Sequence, residues 1–380
     1  MILALLAATA TISLVGGCGS GGDGSSTGTT STPGDPPPHS FYGVVPQDIL
    51  AESDYPKMQA AGVGTLRVGL YWPQVQPENP YEFDFSRFDA TVAAAAKRNM
   101  TVFPFLYGAP DWAARTIDKN DCTTDCQFYG PASPASLAFW QAFAAKAAAR
   151  YGPGGEFWRK NPSVPKKPIR TWQIWNEQNS KTFFLPKPDP KKYEPLLSAA
   201  ATGLRSVDPD ATIVLGGMFG TPGGDDPPDP QHAIAAATFI DDLLKIKGAK
   251  SEFDGYALHP YSGSVDFVRK QVEIARRTLS RSGYPNASLW VSEVGWASGG
   301  KKSALNVGSE EAQAQRVTQV FKLFEEHRKD WNVHLVAWYA WEDSHASDDF
   351  CLFCAKAGLV DAKGDPKPAY DAYKKVTGGG

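Results

Sequence analysis

Two glutamates stand at the ends of apolar runs far apart in the chain. Trp172-Gln173-Ile174-Trp175 leads directly into Asn176 and Glu177, and Leu289-Trp290-Val291-Ser292 leads into Glu293, with Trp296 just beyond. An acid at the carboxyl end of a buried strand is costly unless chemistry uses it. Glu177 and Glu293 are therefore read as facing each other across one cleft. Two carboxyls so placed are what acetal hydrolysis needs. One gives a proton to the leaving oxygen, and the other, ionised, meets an oxocarbenium-like carbon. Arg67 beside Glu293 would keep that carboxylate charged, while burial and a nearby anion would raise the pKa of Glu177.

The elements that must position these residues follow from the pattern of the chain. Apolar stretches at 41–45, 65–70, 101–106, 171–175, 211–216, 255–258, 288–292 and 335–340 are rich in Val, Ile, Leu and aromatic residues and do not alternate. That composition fits strands buried on both faces. Helical stripes lie between them, for example Phe85, Phe88, Val92 and Ala96, then Val268, Val272, Ala275 and Leu279, then Val317, Val320, Phe321 and Phe324. Ser133-Pro134 offers an N-cap and a first-turn proline for the helix through Trp140, and 361–375 supplies a last helix.

About eight such units in one chain predict an α/β fold, a (β/α)8 TIM barrel forming a single catalytic domain over 41–377. The long insertion 107–133 follows a strand and belongs to the catalytic face, and 151–167 follows a helix and belongs to the opposite face. Working residues of such a barrel come from the carboxyl ends of strands. Those ends gather Arg67 and Trp72, Tyr107 and Trp112, Asn176 and Glu177, His259 and Tyr261, Glu293, and Trp341 with Glu342 and Asp343.

Trp175-Asn176-Glu177 at the fourth strand and Ser292-Glu293 with Gly295-Trp296 at the seventh resemble the signature of clan A retaining glycoside hydrolases. The run from Arg150-Tyr151-Gly152-Pro153 to Glu177 is most similar to family 39 members, with family 5 next. The resemblance implies that Glu177 is the general acid/base and Glu293 the nucleophile. It also implies that Asn176 binds the sugar 2-hydroxyl, that Tyr261 and Arg67 hold the nucleophile, and that His259 positions the acid or the sugar. Trp341 would form the floor of that subsite, with Trp112 and Trp72 as further aromatic contacts. Gln178 departs from the proline common among relatives, which bears on the loop after Glu177 and the leaving-group subsite. The implied substrate is an oligosaccharide, polysaccharide or glycoside with an equatorial bond or its L-arabinofuranosyl equivalent. One rival, a transglycosylase, uses the same two glutamates. The other, a carbohydrate-binding lipoprotein that keeps the barrel but not the reaction, would be marked by loss of one Glu, and both are present.

Composition bounds the partners. The 380 residues are 42% hydrophobic, enough for a large core, and a formal net charge of -3 gives no basic footprint for nucleic acid. No histidine spacing indicates a catalytic metal, and no glycine-rich loop indicates a nucleotide cofactor. Ser292 lacks the Gly-x-Ser-x-Gly elbow of an esterase. The resemblance implies a carbohydrate partner, and the protein is expected to act as a monomer.

The chain begins with an apolar run too short to span a bilayer, ending in Val15-Gly16-Gly17-Cys18. This resembles the lipobox of a bacterial lipoprotein signal over 1–18 with Cys18 lipidated, although no Lys or Arg lies near Met1. Plain secretion is the alternative, and both place the protein outside the cytoplasm, touching a membrane only through the anchor. Residues 19–40 are Gly, Ser, Thr and Pro with almost nothing apolar, a flexible tether reaching about 25 Å r.m.s.. The remaining cysteines form two close pairs, Cys122 with Cys126 and Cys351 with Cys354. Zinc and redox roles are open to such spacing, but the exported context favours disulfides. Three pairings are possible, and the two local bridges are preferred.

Overall fold

The structure is a computed structural model that describes residues 35–47, 49–114, 126–220, 232–300, 303, 305–344 and 353–379. Eight parallel strands close into a barrel in sequence order, with β8 pairing back onto β1. They are β1 (Tyr42–Val45), β2 (Thr65–Tyr71), β3 (Thr101–Tyr107), β4 (Thr171–Asn176), β5 (Thr212–Phe219), β6 (Gly255–His259), β7 (Ser288–Val294) and β8 (Val333–Tyr339). This is the (β/α)8 architecture expected from the alternating pattern. Residues 1–34, which hold the expected signal, Cys18 and most of the tether, lie outside the described residues.

Helices follow where the stripes predict them, at Ser86–Lys97, Val265–Arg281 and Glu310–Glu326. Ser133 caps the helix Pro134–Tyr151 by accepting from the Ser136 N–H, and Ser136 caps back, a contact worth about 1 kcal/mol. The last helix is shorter than expected and runs Pro368–Thr377. Pro368 suits only its first turn, and the preceding Gly364 holds a φ of 81° in a tight turn.

Inside the barrel Val45, Phe103, Val214, Ala257, Trp290, Leu335 and Ala337 form one buried apolar cluster. Phe103 on β3 and Trp290 on β7 stack at 6.3 Å, a contact possible only through the barrel centre. Tyr339, at the carboxyl end of β8, packs against this cluster.

Three breaks in strand geometry aim side chains into the cleft. In β4, Trp175 takes a φ of 73° and Glu177 a φ of 45°, a left-handed backbone that bulky residues adopt only under compulsion. The turn is held by Gln173 Nε2 donating to the Trp175 carbonyl and by the Trp175 indole donating to the Phe183 carbonyl. Its consequence is that Gln173 and Asn176, three residues apart, both face inward. In β7 the register slips between Val291 and Val294, so consecutive residues Ser292 and Glu293 both reach the interior. In β5 the register slips between Leu215 and Met218, around Gly216-Gly217.

Candidate active site

Arg67 is the hub. It is 1% exposed and uses all three nitrogens. Nη1 donates to Glu293 Oε1 at 2.6 Å, Nη2 to Asn176 Oδ1 at 2.6 Å, and Nε to Gln173 Oε1 at 3.2 Å. The guanidinium also lies over the Phe105 ring, 4.4 Å from its centroid. A buried cation of this kind is tolerable because each of its three nitrogens has an acceptor and one of these is a carboxylate. Replacing Arg67 by Ala leaves Glu293 a nearly buried, half-paired anion, and unfolding experiments should show a loss of about 3–5 kcal/mol. A loss under about 1 kcal/mol, of the size of an exposed pair, would contradict this account of the hub.

Glu293 accepts a second hydrogen bond, from the Tyr261 hydroxyl to Oε2 at 2.8 Å. Burial, and then the negative charge of Glu293, push the Tyr261 phenol well above its ordinary pKa, so it remains a donor. Both carboxylate oxygens are thus occupied by donors from opposite sides of the barrel.

Glu177 has a different environment. Its backbone N–H is tied to the Gly217 carbonyl at 2.8 Å, and its Oε1 lies 2.7 Å from His259 Nδ1. Burial first, then the negative charge of Glu293, raise its carboxyl well above the usual range, and Arg67 opposes that only in part. His259 is fully buried, and burial followed by the Arg67 charge holds its imidazole well below its usual pKa. The contact between His259 and Glu177 is therefore a neutral hydrogen bond, not an ion pair.

The ring of His259 reaches this place because Gly217 has no side chain. A Cβ there would sit 2.0 Å from His259 Nε2. Asn179 then fixes the loop after Glu177, donating to the Phe219 and Ile234 carbonyls and accepting from the Phe219 N–H. Gln178, next in the chain after Glu177, is buried with its amide donating to the Gly216 carbonyl.

Carboxylate and imidazole ligand atoms of Glu177, His259 and Glu293 lie within 4.8 Å of one another. Such a triad could in principle hold a cation, but Arg67 already sits at 2.6 Å from one Glu293 oxygen and Tyr261 takes the other. A second positive charge there would face the guanidinium directly, so the donor set fits a carboxylate pair better than a metal centre.

The pair opens into a cavity of about 930 Å³ whose wall includes Arg67, Tyr71, Asn176, Glu177, Glu293 and Tyr339. The three tryptophans expected as sugar contacts lie elsewhere. Trp72 is fully buried against Trp112, Trp140 and Phe143, with its indole donating to Gln76. Strand alternation gives the reason: Tyr71 ends β2 facing inward, so the next residue turns out toward the helix Pro134–Tyr151. Trp112 packs edge-on to Trp72 and Phe139 and donates to the Gln76 carbonyl. Trp341 is also fully buried, near Tyr370 of the last helix, and is not the floor of the cleft.

The aromatic position on β8 belongs to Tyr339. It continues the inward alternation of Leu335 and Ala337, and its hydroxyl donates to Gln47 Oε1 at 3.2 Å. Glu342 accepts from the Gln47 backbone N–H, and Asp343 is buried with Lys367 at 2.9 Å, so both hold the loop after β8. Cys354, whose sulfur is 3.4 Å from the Tyr339 hydroxyl, takes part in a disulfide. The pairing expected for Cys122, Cys126 and Cys351 falls outside the described side chains.

Residues 234–373 match the glycosyl hydrolase catalytic core family. The matched segment carries His259, Tyr261, Ser292, Glu293 and Tyr339, while Arg67, Asn176 and Glu177 precede it. The barrel is similar to a family 39 glycoside hydrolase from Bacteroides cellulosilyticus WH2, with a TM-score of 0.62 at 23% identity over 90% of this chain and 64% of that one. It is also similar to a monomeric beta-xylosidase from Caulobacter crescentus CB15, at 0.63 and 16% over 90% and 69%. Xylanase 10B from Thermotoga maritima gives 0.58 and 16% over 90% and 95%. These structural relatives are clan A glycosidases, and at such identities the likeness is one of fold. The chain spans less than two thirds of the length of the first of them. No curated protein sequence matches the chain.

Proposed function

We propose that this protein hydrolyses an equatorial O-glycosidic bond of a carbohydrate with retention of configuration, using Glu293 as nucleophile and Glu177 as acid and base. The observation that carries this reading is the pair itself. The facing carboxylate oxygens lie within 4.8 Å, one side bound by Arg67 and Tyr261 and the other buried beside a neutral histidine. Retaining enzymes keep their carboxyls about 5–5.5 Å apart, whereas inverting ones need roughly 6.5–9.5 Å to admit water between them.

The chemistry follows from the two environments. Glu293 attacks the anomeric carbon while Glu177 passes its proton to the departing oxygen, leaving a glycosyl ester on Glu293. Ester formation removes the negative charge that helps keep Glu177 protonated. The acid then becomes a base suited to deprotonate water for the second displacement. Asn176, held by Arg67, is placed to bond the hydroxyl next to the anomeric carbon, where charge develops.

The beta-xylosidase and xylanase among its structural relatives support a β-linked glycan, pentosides first, as substrate. Cys18 and the tether support action at the cell envelope as a lipid-anchored or secreted monomer. Proton NMR of products from a panel of aryl β-glycosides tests the reaction. The first-formed sugar should be the β-anomer, and an α-anomer as first product would exclude double displacement. Excess sugar acceptor in the same assay separates hydrolysis from transglycosylation.

A further inference from the structure

Ser292 precedes the proposed nucleophile, is fully buried, and hydrogen-bonds through its hydroxyl to His259 Nε2 at 3.0 Å. The same nitrogen lies 3.5 Å from Glu293 Oε1, and the other ring nitrogen lies 2.7 Å from Glu177 Oε1. His259 therefore touches both carboxylates, and its single ring proton can serve only one of them. With the proton on Nε2, the ring leans toward Glu293, and Nδ1 becomes an acceptor. It then draws the Glu177 proton onto Oε1, against the imidazole and away from a leaving group. With the proton on Nδ1, the ring donates to Oε1, and the acidic proton resides on Oε2. A carboxylate at Nε2 can only accept, whereas a serine hydroxyl can donate to a bare nitrogen.

Resting on the glycosidase reading, we infer that Ser292 is a positioning residue: its hydroxyl donates to Nε2, selects the Nδ1–H tautomer of His259, and so places the proton of Glu177 on the oxygen that faces the leaving group. The slip in β7 register between Val291 and Val294 is what allows the consecutive residues Ser292 and Glu293 both to approach Nε2 of one imidazole. The absent side chain at Gly217 leaves the ring room to do so.

NMR of isotope-labelled histidine in the intact protein reads the tautomer directly, and kcat/KM across aryl and alkyl glycosides reads its effect. In wild type the His259 ring should carry its proton on Nδ1. Ser292→Ala should move it to Nε2 and lower kcat/KM about tenfold or more for poor leaving groups, within the range of acid catalysis. Dinitrophenyl glycosides, which need no proton, should be nearly unaffected, and Ser292→Thr should restore both readouts. A wild-type ring protonated on Nε2, or a Ser292→Ala ring unchanged from wild type, would overturn the inference. So would an equal loss on every leaving group, which is the mark of a merely structural residue. A wild-type protein inert toward every glycoside counts against the glycosidase reading, and the tautomer still decides the link between Ser292 and His259 by itself.

Discussion

Glu293→Ala should lower kcat on any accepted aryl glycoside by a factor on the order of 10⁵ or more, as expected when a covalent nucleophile is removed. The size follows from what the side chain does: it forms the bond that splits one difficult displacement into two easier ones. A second effect must be separated from this one. Removing Glu293 leaves the buried Arg67 guanidinium without its anion, and an unpaired buried charge costs about 3–5 kcal/mol. Glu293→Gln keeps an oxygen for Arg67 or Tyr261 and should retain more of the fold while still lacking the nucleophile. The comparison to make is therefore turnover in both variants beside their denaturant midpoints. Turnover lost in Glu293→Ala but retained in Glu293→Gln would assign the loss to misfolding and remove Glu293 from the chemistry.

Glu177→Ala has a different expected pattern. Glycosides with poor leaving groups should lose about 10²–10⁴-fold in kcat/KM, whereas activated ones should lose little in the first step and accumulate the glycosyl ester. Azide, a nucleophile that needs no general base and fits the space left by the carboxyl, should restore turnover and yield a β-glycosyl azide. An α-azide, or no rescue in a folded variant, would reassign the acid. The raised pKa of Glu177 adds a sign that can be checked. Activity should persist at pH values where an ordinary glutamic acid is already ionised and fall as pH rises through the elevated pKa.

Stability follows the same linkage. The folded-state pKa lies above the unfolded one, so the protonated group's contribution is complete below the ordinary glutamate range and is lost as pH rises through the folded value. Glu177→Gln should flatten that decline.

The barrel was legible because its strands are apolar on both faces and its helices carry plain stripes, so composition and period both point to the same elements. The two acids were legible because each breaks such a run at its carboxyl end. What the sequence concealed is local geometry that interrupts strand alternation. Nothing in the letters of Trp175 announces a left-handed backbone, yet that turn is what brings Gln173 and Asn176 to the same guanidinium. The slip in β7 that recruits Ser292 is equally silent. Tyr339 could have been found by extending the inward alternation of Leu335 and Ala337, whereas position just past a strand end and the family resemblance pointed instead to Trp72, Trp112 and Trp341, which fill space between strands and helices. Gly216-Gly217 inside a strand was a usable signal, since paired glycines there mark a close approach, in this case by His259.

The central claim is a covalent bond between Glu293 and the anomeric carbon. A 2-fluoro glycoside with a good leaving group slows both displacements but spares the first, so the intermediate accumulates and can be located by peptide mass spectrometry. The account predicts a mass increase on the peptide containing Glu293 alone, with loss of activity in step with labelling. A label on Glu177 or any other residue, or inactivation without a covalent adduct, would contradict it.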